Sequence, residues 1–212
     1  ATANENFGTT TETLKELAKG IGSISWDYST IRIQGELTDA IKEKKFSNNN
    51  DVLKELVISI GKIKWHSIAL DRLMLEIKNG LFGENQEVLI NLIESIKSIN
   101  AMPETKWSNS AKRCMAEAVI NGKLSQNTSL LKASINLIVQ IVDLNNDIIQ
   151  DIFFNTKEDK KSIFQLISNS ELSHTEKIEI LDSLSVKINN AHISEKINEF
   201  KNTLNFLTYL IL

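Results

Sequence analysis

The sequence predicts an all-α protein of stacked antiparallel helix pairs, an α-solenoid-like, right-handed superhelix of about five hairpins. Three observations predict it. Apolar residues recur at spacings of three and four, which places them on one helical stripe. A whole stretch recurs: "LKELAKGIGSISW" from Leu14 returns as "LKELVISIGKIKW" from Leu53. Polar or turn-forming segments then punctuate the chain at the length of one helix pair.

The stripes come first. Leu14, Leu17, Ile21 and Ile24 are matched by Leu53, Leu56, Ile60 and Ile63, 39 residues on, and by Leu89, Leu92, Ile96 and Ile99 after a further 36. A second helix follows each stripe, in "STIRIQGELTDAIKEKKF", "SIALDRLMLEIKNGLF" and "SNSAKRCMAEAVINGKL". "SNNND", "GENQ" and "SQNT" separate the pairs, and Asn79-Gly80 and Asn121-Gly122 read as helix ends. Gly20, Gly22 and Gly61 lie on the first helices, where they cost helix propensity and let another helix approach closely. The organisation expected is a flexible segment at 1–11, three repeats at 12–51, 52–88 and 89–129, and degenerate repeats or a helical cap at 130–212. Within the last region, 156–161 reads as a charged loop, "SHTE" at 173–176 as a capping box, and His192 as a loop residue.

Stripe spacing, helix length and unit length give the chain its likeness. It resembles α-helical hairpin repeat proteins of HEAT or armadillo type, well over 12–129 and weakly over 130–212. It lacks the tyrosine, alanine and proline pattern of tetratricopeptide repeats. The resemblance implies an extended surface offered to a partner.

Two rare residues mark the repeat. The three tryptophans are Trp26, Trp65 and Trp107, and the three arginines are Arg32, Arg72 and Arg113. Each arginine has a glutamate four positions on, Glu36, Glu76 and Glu117, on the same helix face. Every other strongly basic residue is lysine. One reading is structural: a partly buried guanidinium holds the carboxylate and stacks on the indole, roles that lysine fills poorly. Arg72→Lys is then costlier than an ordinary surface change. The other reading is a binding row of nine anchors in file, since tryptophan and arginine dominate protein-binding hot spots. Solvent-facing indoles would favour the row.

Composition bounds the rest. A net charge of −3 lacks the cationic stripe that phosphate backbones demand and argues against general nucleic-acid binding. One cysteine, Cys114, leaves no intrachain disulfide and no cysteine-based metal site; on the inner side of its helix it reads as a buried, inert thiol. No apolar run approaches the ~20 residues of a membrane helix. "ATANENFGTTTET" is no charged apolar leader, so a leader has been removed or a longer chain precedes it. His66, His174 and His192 form no metal-binding motif, and no Gly-rich phosphate loop occurs. The expectation is a non-enzymatic module without cofactor or metal. It binds a protein or peptide and suits a bacterial effector or immunity factor, either cytoplasmic or exported without disulfides. A membrane-active, toxin-like domain built on the apolar tail "LNFLTYLIL" is the alternative, and the helical part of a larger enzyme the second.

Overall fold

A computed structural model describes residues 10–24, 30–46, 49–141, 153, 162–186 and 191–211. Their regular structure is all helical. The chain divides into two compact units, Ala1–Leu124 and Ser125–Leu212. Residues 1–9 of the expected flexible segment, Trp26 and the charged loop at 156–161 lie outside the described residues.

The first unit holds α1 (Thr11–Ile21), α2 (Ile31–Lys42), α3 (Asn50–Ile60), α4 (Ser67–Lys78), α5 (Gln86–Ala101) and α6 (Asn109–Ile120). Helix α1 packs on α3 and α3 on α5; α2 packs on α4 and α4 on α6. Odd-numbered helices therefore form one layer and even-numbered helices the other. Neighbours within a layer run parallel. Lys54 meets Glu87 near the starts of α3 and α5, and Gly61 meets Ser95 further along both. Parallel neighbours need a return helix between them, and the other layer supplies it.

Side-chain caps set the helix starts. Thr10 accepts from the backbone N–H of Thr13 at 3.3 Å, Asn49 from Asp51 at 2.8 Å, and Asn85 from Glu87 and Val88 at 3.1 Å. Thr10 and Thr11 thus belong to the first helix rather than to a flexible lead. The apolar stripes become core at different depths. Ile63 and Ile99 are fully buried, each worth about 2 kcal/mol in area terms, whereas Ile24 is 53% exposed.

Glycine decides how close the odd helices come. A Cβ on Gly61 would sit 2.9 Å from Cα and Cβ of Ser95; on Gly22 it would sit 3.1 Å from Cα and Cβ of Ser59. Both glycines cap their helices at negative φ, −64° and −70°, so space rather than backbone freedom requires them. Gly20 was expected to serve the same purpose, but a Cβ there would meet nothing within 4 Å.

The even helices repeat with different offsets. Each has 12 residues. Their ends share one geometry: a left-handed residue at Lys44 (φ 58°), Gly80 (φ 88°) and Gly122 (φ 77°). The next N–H reaches back to the carbonyls of Ala40, Glu76 and Ala118 at 3.0, 3.0 and 2.8 Å. A buried Phe46, Phe82 or Leu124 follows two residues after each left-handed residue. In this register the spacing is 36 and then 42 residues, because α5 has 16 residues against 11 in α3 and a longer link follows it.

The second unit holds, among its described residues, α7 (Thr128–Ile141), α8 (Ile163–Ser168), α9 (His174–Val186) and α10 (Ala191–Ile211). Helix α9 packs on α7 and α10. Phe164 lies edge-on to Phe153 and Phe200, with centroids 6.4 and 4.9 Å away. The Ser173–Glu176 capping box forms, and Ser162–Gln165 makes a second one that the sequence reading missed. Residue 192 lies within α10, not in a loop, because that helix starts at Ala191.

Lys44 is the non-glycine residue at the left-handed position. Lys44→Gly is expected to raise stability by about 1 kcal/mol in chemical denaturation, since it removes the Cβ–carbonyl crowding of that conformation. The same measurement on Gly80→Lys is expected to show a loss of similar size.

Candidate binding face

The arginines do not repeat as the sequence suggested. Arg32 is the second residue of α2, Arg72 the sixth of α4 and Arg113 the fifth of α6. Nearly constant spacing hid this, because the unequal links between helices compensate for unequal positions within them. The three still belong to one layer. All lie exposed on the even layer, on helices that pack side by side.

Two of the expected helix pairs form. Arg32 Nε donates to Glu36 at 2.8 Å and Arg113 Nε to Glu117 at 2.9 Å. The middle one does not. Arg72 pairs with Asp39 of α2, while Glu76, only 8% exposed, accepts from Lys42 Nζ at 2.7 Å. The guanidiniums are exposed rather than partly buried, Arg32 by 89% of its side chain. At Glu76 and Glu117 the partly buried partner is the carboxylate, while Glu36 is exposed like its arginine. Lys42 and Lys78, each the last residue of its helix, reach forward to Glu76 and Glu117 of the next even helix. Burial would push the Glu117 carboxyl up, but hydrogen bonds from Lys78 and Arg113 outweigh it and hold it below its ordinary value. Its hydrogen bond in turn holds Lys78 above the usual lysine value.

Trp65 and Trp107 do fall in register, each directly before the cap of an even helix, His66 and Ser108. Trp65 is buried and its indole N–H donates to the Ile60 carbonyl at 3.1 Å. Trp107 is half-buried, and its buried Nε1 has no hydrogen-bond partner among the described residues. Neither indole is an exposed anchor. The layer instead carries exposed apolar residues that the row left out: Ile68 and Leu75 on α4, exposed by 65 and 42%, and Ile33 on α2, exposed by 52%. Ile68, Arg72 and Leu75 stand four and three residues apart, which puts them on one side of α4. This signal is in the sequence, since they lie out of phase with buried Leu70, Leu73 and Ile77.

A buried polar clamp ties this layer to the links. Gln34, fully buried, donates to the Lys64 carbonyl at 2.8 Å and accepts from the His66 N–H at 2.9 Å. The Ser108 hydroxyl binds Asp71 at the next junction. His66 caps α4 through Nδ1, and His174 opens α9. Cys114 is buried, which pushes its thiol up, away from reactivity. Among the described residues no group of three or more His, Cys, Asp or Glu side chains is placed to hold a metal ion. No described helix is long and apolar enough to cross a membrane.

Glu117→Gln is expected to cost about 1 kcal/mol at neutral pH by chemical denaturation. A lowered carboxyl contributes stability above its unfolded value of about 4.3 and loses it as pH falls through the folded value. The gap between the two proteins should therefore close in acid. Arg72→Lys, on an exposed pair, is expected to stay within about 0.5 kcal/mol of the parent chain.

The chain matches no protein-family model, no curated protein and no solved structure.

Proposed function

We propose that the protein is a non-enzymatic interaction module of helical-repeat type, HEAT-like in the broad sense, that holds a protein or peptide partner across the exposed face of α2, α4 and α6. The observation that carries this reading is the set Ile33, Ile68 and Leu75, large apolar side chains left open on a layer that also carries all three arginines. Arginine is enriched at binding hot spots, and an interface has an apolar core within a polar rim, the place the ion pairs take here. Each guanidinium already has a carboxylate, so the partner gains most from apolar contact and least from acidity. Of the nine residues first singled out, Arg32, Glu36, Arg72, Arg113 and Glu117 belong to this face as its rim. Buried Trp65 and Glu76 support it from below, half-buried Trp107 flanks α6, and Trp26 lies outside the described residues. The asparagine-rich, disulfide-free composition fits a bacterial effector or immunity factor as the setting.

A photo-crosslinking residue at Ile68 tests the reading. It is expected to trap a discrete partner in cell extract, with the same residue at exposed Glu94 of α5 trapping none. Ile33→Asp combined with Leu75→Asp is expected to abolish the adduct with stability held within about 0.5 kcal/mol per change. An adduct of equal yield from Glu94, or one that survives the double change, would contradict it.

A further inference from the structure

The odd-numbered layer has a second surface, independent of the even face. Along α3 and the turn after it, Val52, Leu56, Ser59 and Ile63 stand on one stripe, all buried, with Ser59 against Gly22 of α1. The same register on α5 gives Val88, Leu92, Ser95 and Ile99, again all buried. On α1 it gives Thr13, Leu17, Gly20 and Ile24. Thr13, Gly20 and Ile24 are exposed and Leu17 is half-buried. Four positions that are core twice over are thus open at α1.

Gly20 is the informative member. Ser59 receives Gly22 of the helix before it, and Ser95 receives Gly61. Gly20 stands where those serines stand, and a Cβ there would meet nothing within 4 Å. A glycine inside a helix costs about 1 kcal/mol relative to alanine, and nothing among the described residues of this molecule uses the space it opens. It forms a seat for another helix's small residue.

The two existing junctions define what fits the seat. Both donor helices carry Leu-Lys-Glu-Leu-x-x-x-Ile-Gly, at 14–22 and 53–61. At the α3–α5 junction the lysine of that pattern, Lys54, pairs with Glu87 while its glycine sits over Ser95. The glycine stands seven positions after the lysine in both donors. On α1 the position of Glu87 is held by Glu12, whose side chain is 82% exposed and touches only Lys15 at 3.9 Å among the ion pairs of the described residues.

We infer that the outward side of α1 docks one amphipathic helix of a partner protein, parallel to α1, with a glycine over Gly20 and a lysine seven residues earlier against Glu12. The interface continues the one that α1 makes on α3, with Leu17 and Ile24 as its apolar contacts.

A hydrocarbon-stapled peptide of residues 50–62, stapled on its solvent side, is the probe; the staple supplies the helicity that so short a segment lacks. Fluorescence anisotropy with the full chain is expected to show saturable binding, with backbone NMR shifts confined to α1. Gly20→Arg and, separately, Ile24→Glu in the full chain are each expected to weaken it at least about tenfold, as is leucine in place of the peptide's glycine. Circular dichroism checks that both variants keep their helices. Absence of binding, binding indifferent to both changes, or shifts centred on another helix would overturn the inference. So would concentration-dependent self-association of the chain that Gly20→Arg abolishes, since a second copy would then be the occupant.

Discussion

The close approach of α1 to α3 and of α3 to α5 holds the first unit in its layered form. At each junction a glycine at a helix end lies against a serine one helix on, Gly22 on Ser59 and Gly61 on Ser95. Neither glycine has the positive φ that would otherwise explain it. The contact fixes register and direction together. The stripes Val52–Leu56–Ile63 and Val88–Leu92–Ile99 run in phase with the two seated serines and are buried along their length. Even helices then follow as the return path, since successive odd helices run the same way.

The even layer is held by longer-ranged and more polar contacts. Lys42 and Lys78 sit at helix ends, where a cation also complements the helix dipole, and each reaches forward to a carboxylate of the next helix. Gln34, fully buried, has its amide satisfied by a link carbonyl and a link N–H. These contacts occupy the inner and lateral sides of the even helices. Ile68, Arg72 and Leu75 are left exposed on one side of α4, with Ile33, Arg32 and Arg113 exposed on the helices beside it, which is why this layer supports a binding reading. The two layers thus differ in character: one is locked by shape, the other by paired charge over an open surface.

Much of this was legible in the chain. The Leu–Leu–Ile–Ile stripes gave the odd helices and their 39 and 36 offsets, because core positions of a helix must repeat with its turn. Gly80 and Gly122 marked two of the three even-helix ends; Lys44 hid the third by standing where glycine is expected. The arginine register misled because rarity in composition is not equivalence in space. An insertion around the α5–α6 link shifts the even helices without disturbing the stripes. Burial of Glu76 was readable, since it falls between Leu73, Met74 and Ile77 on the inward phase of α4. Its choice of Lys42 over Arg72 was not, because that pairing spans two repeats and depends on where both helices end.

Stability of two alanine variants tests the glycine contact most directly. Helix propensity alone favours alanine at both positions, so any difference in sign comes from packing. Gly20→Ala is expected to raise the free energy of unfolding by about 1 kcal/mol, because its Cβ enters open space. Gly61→Ala is expected to lower it by about 1–3 kcal/mol, because its Cβ meets the Ser95 backbone. Shifts of the same sign and size at Gly20 and Gly61 would show that the odd helices are not seated on each other in this way, and the account of the fold would fail.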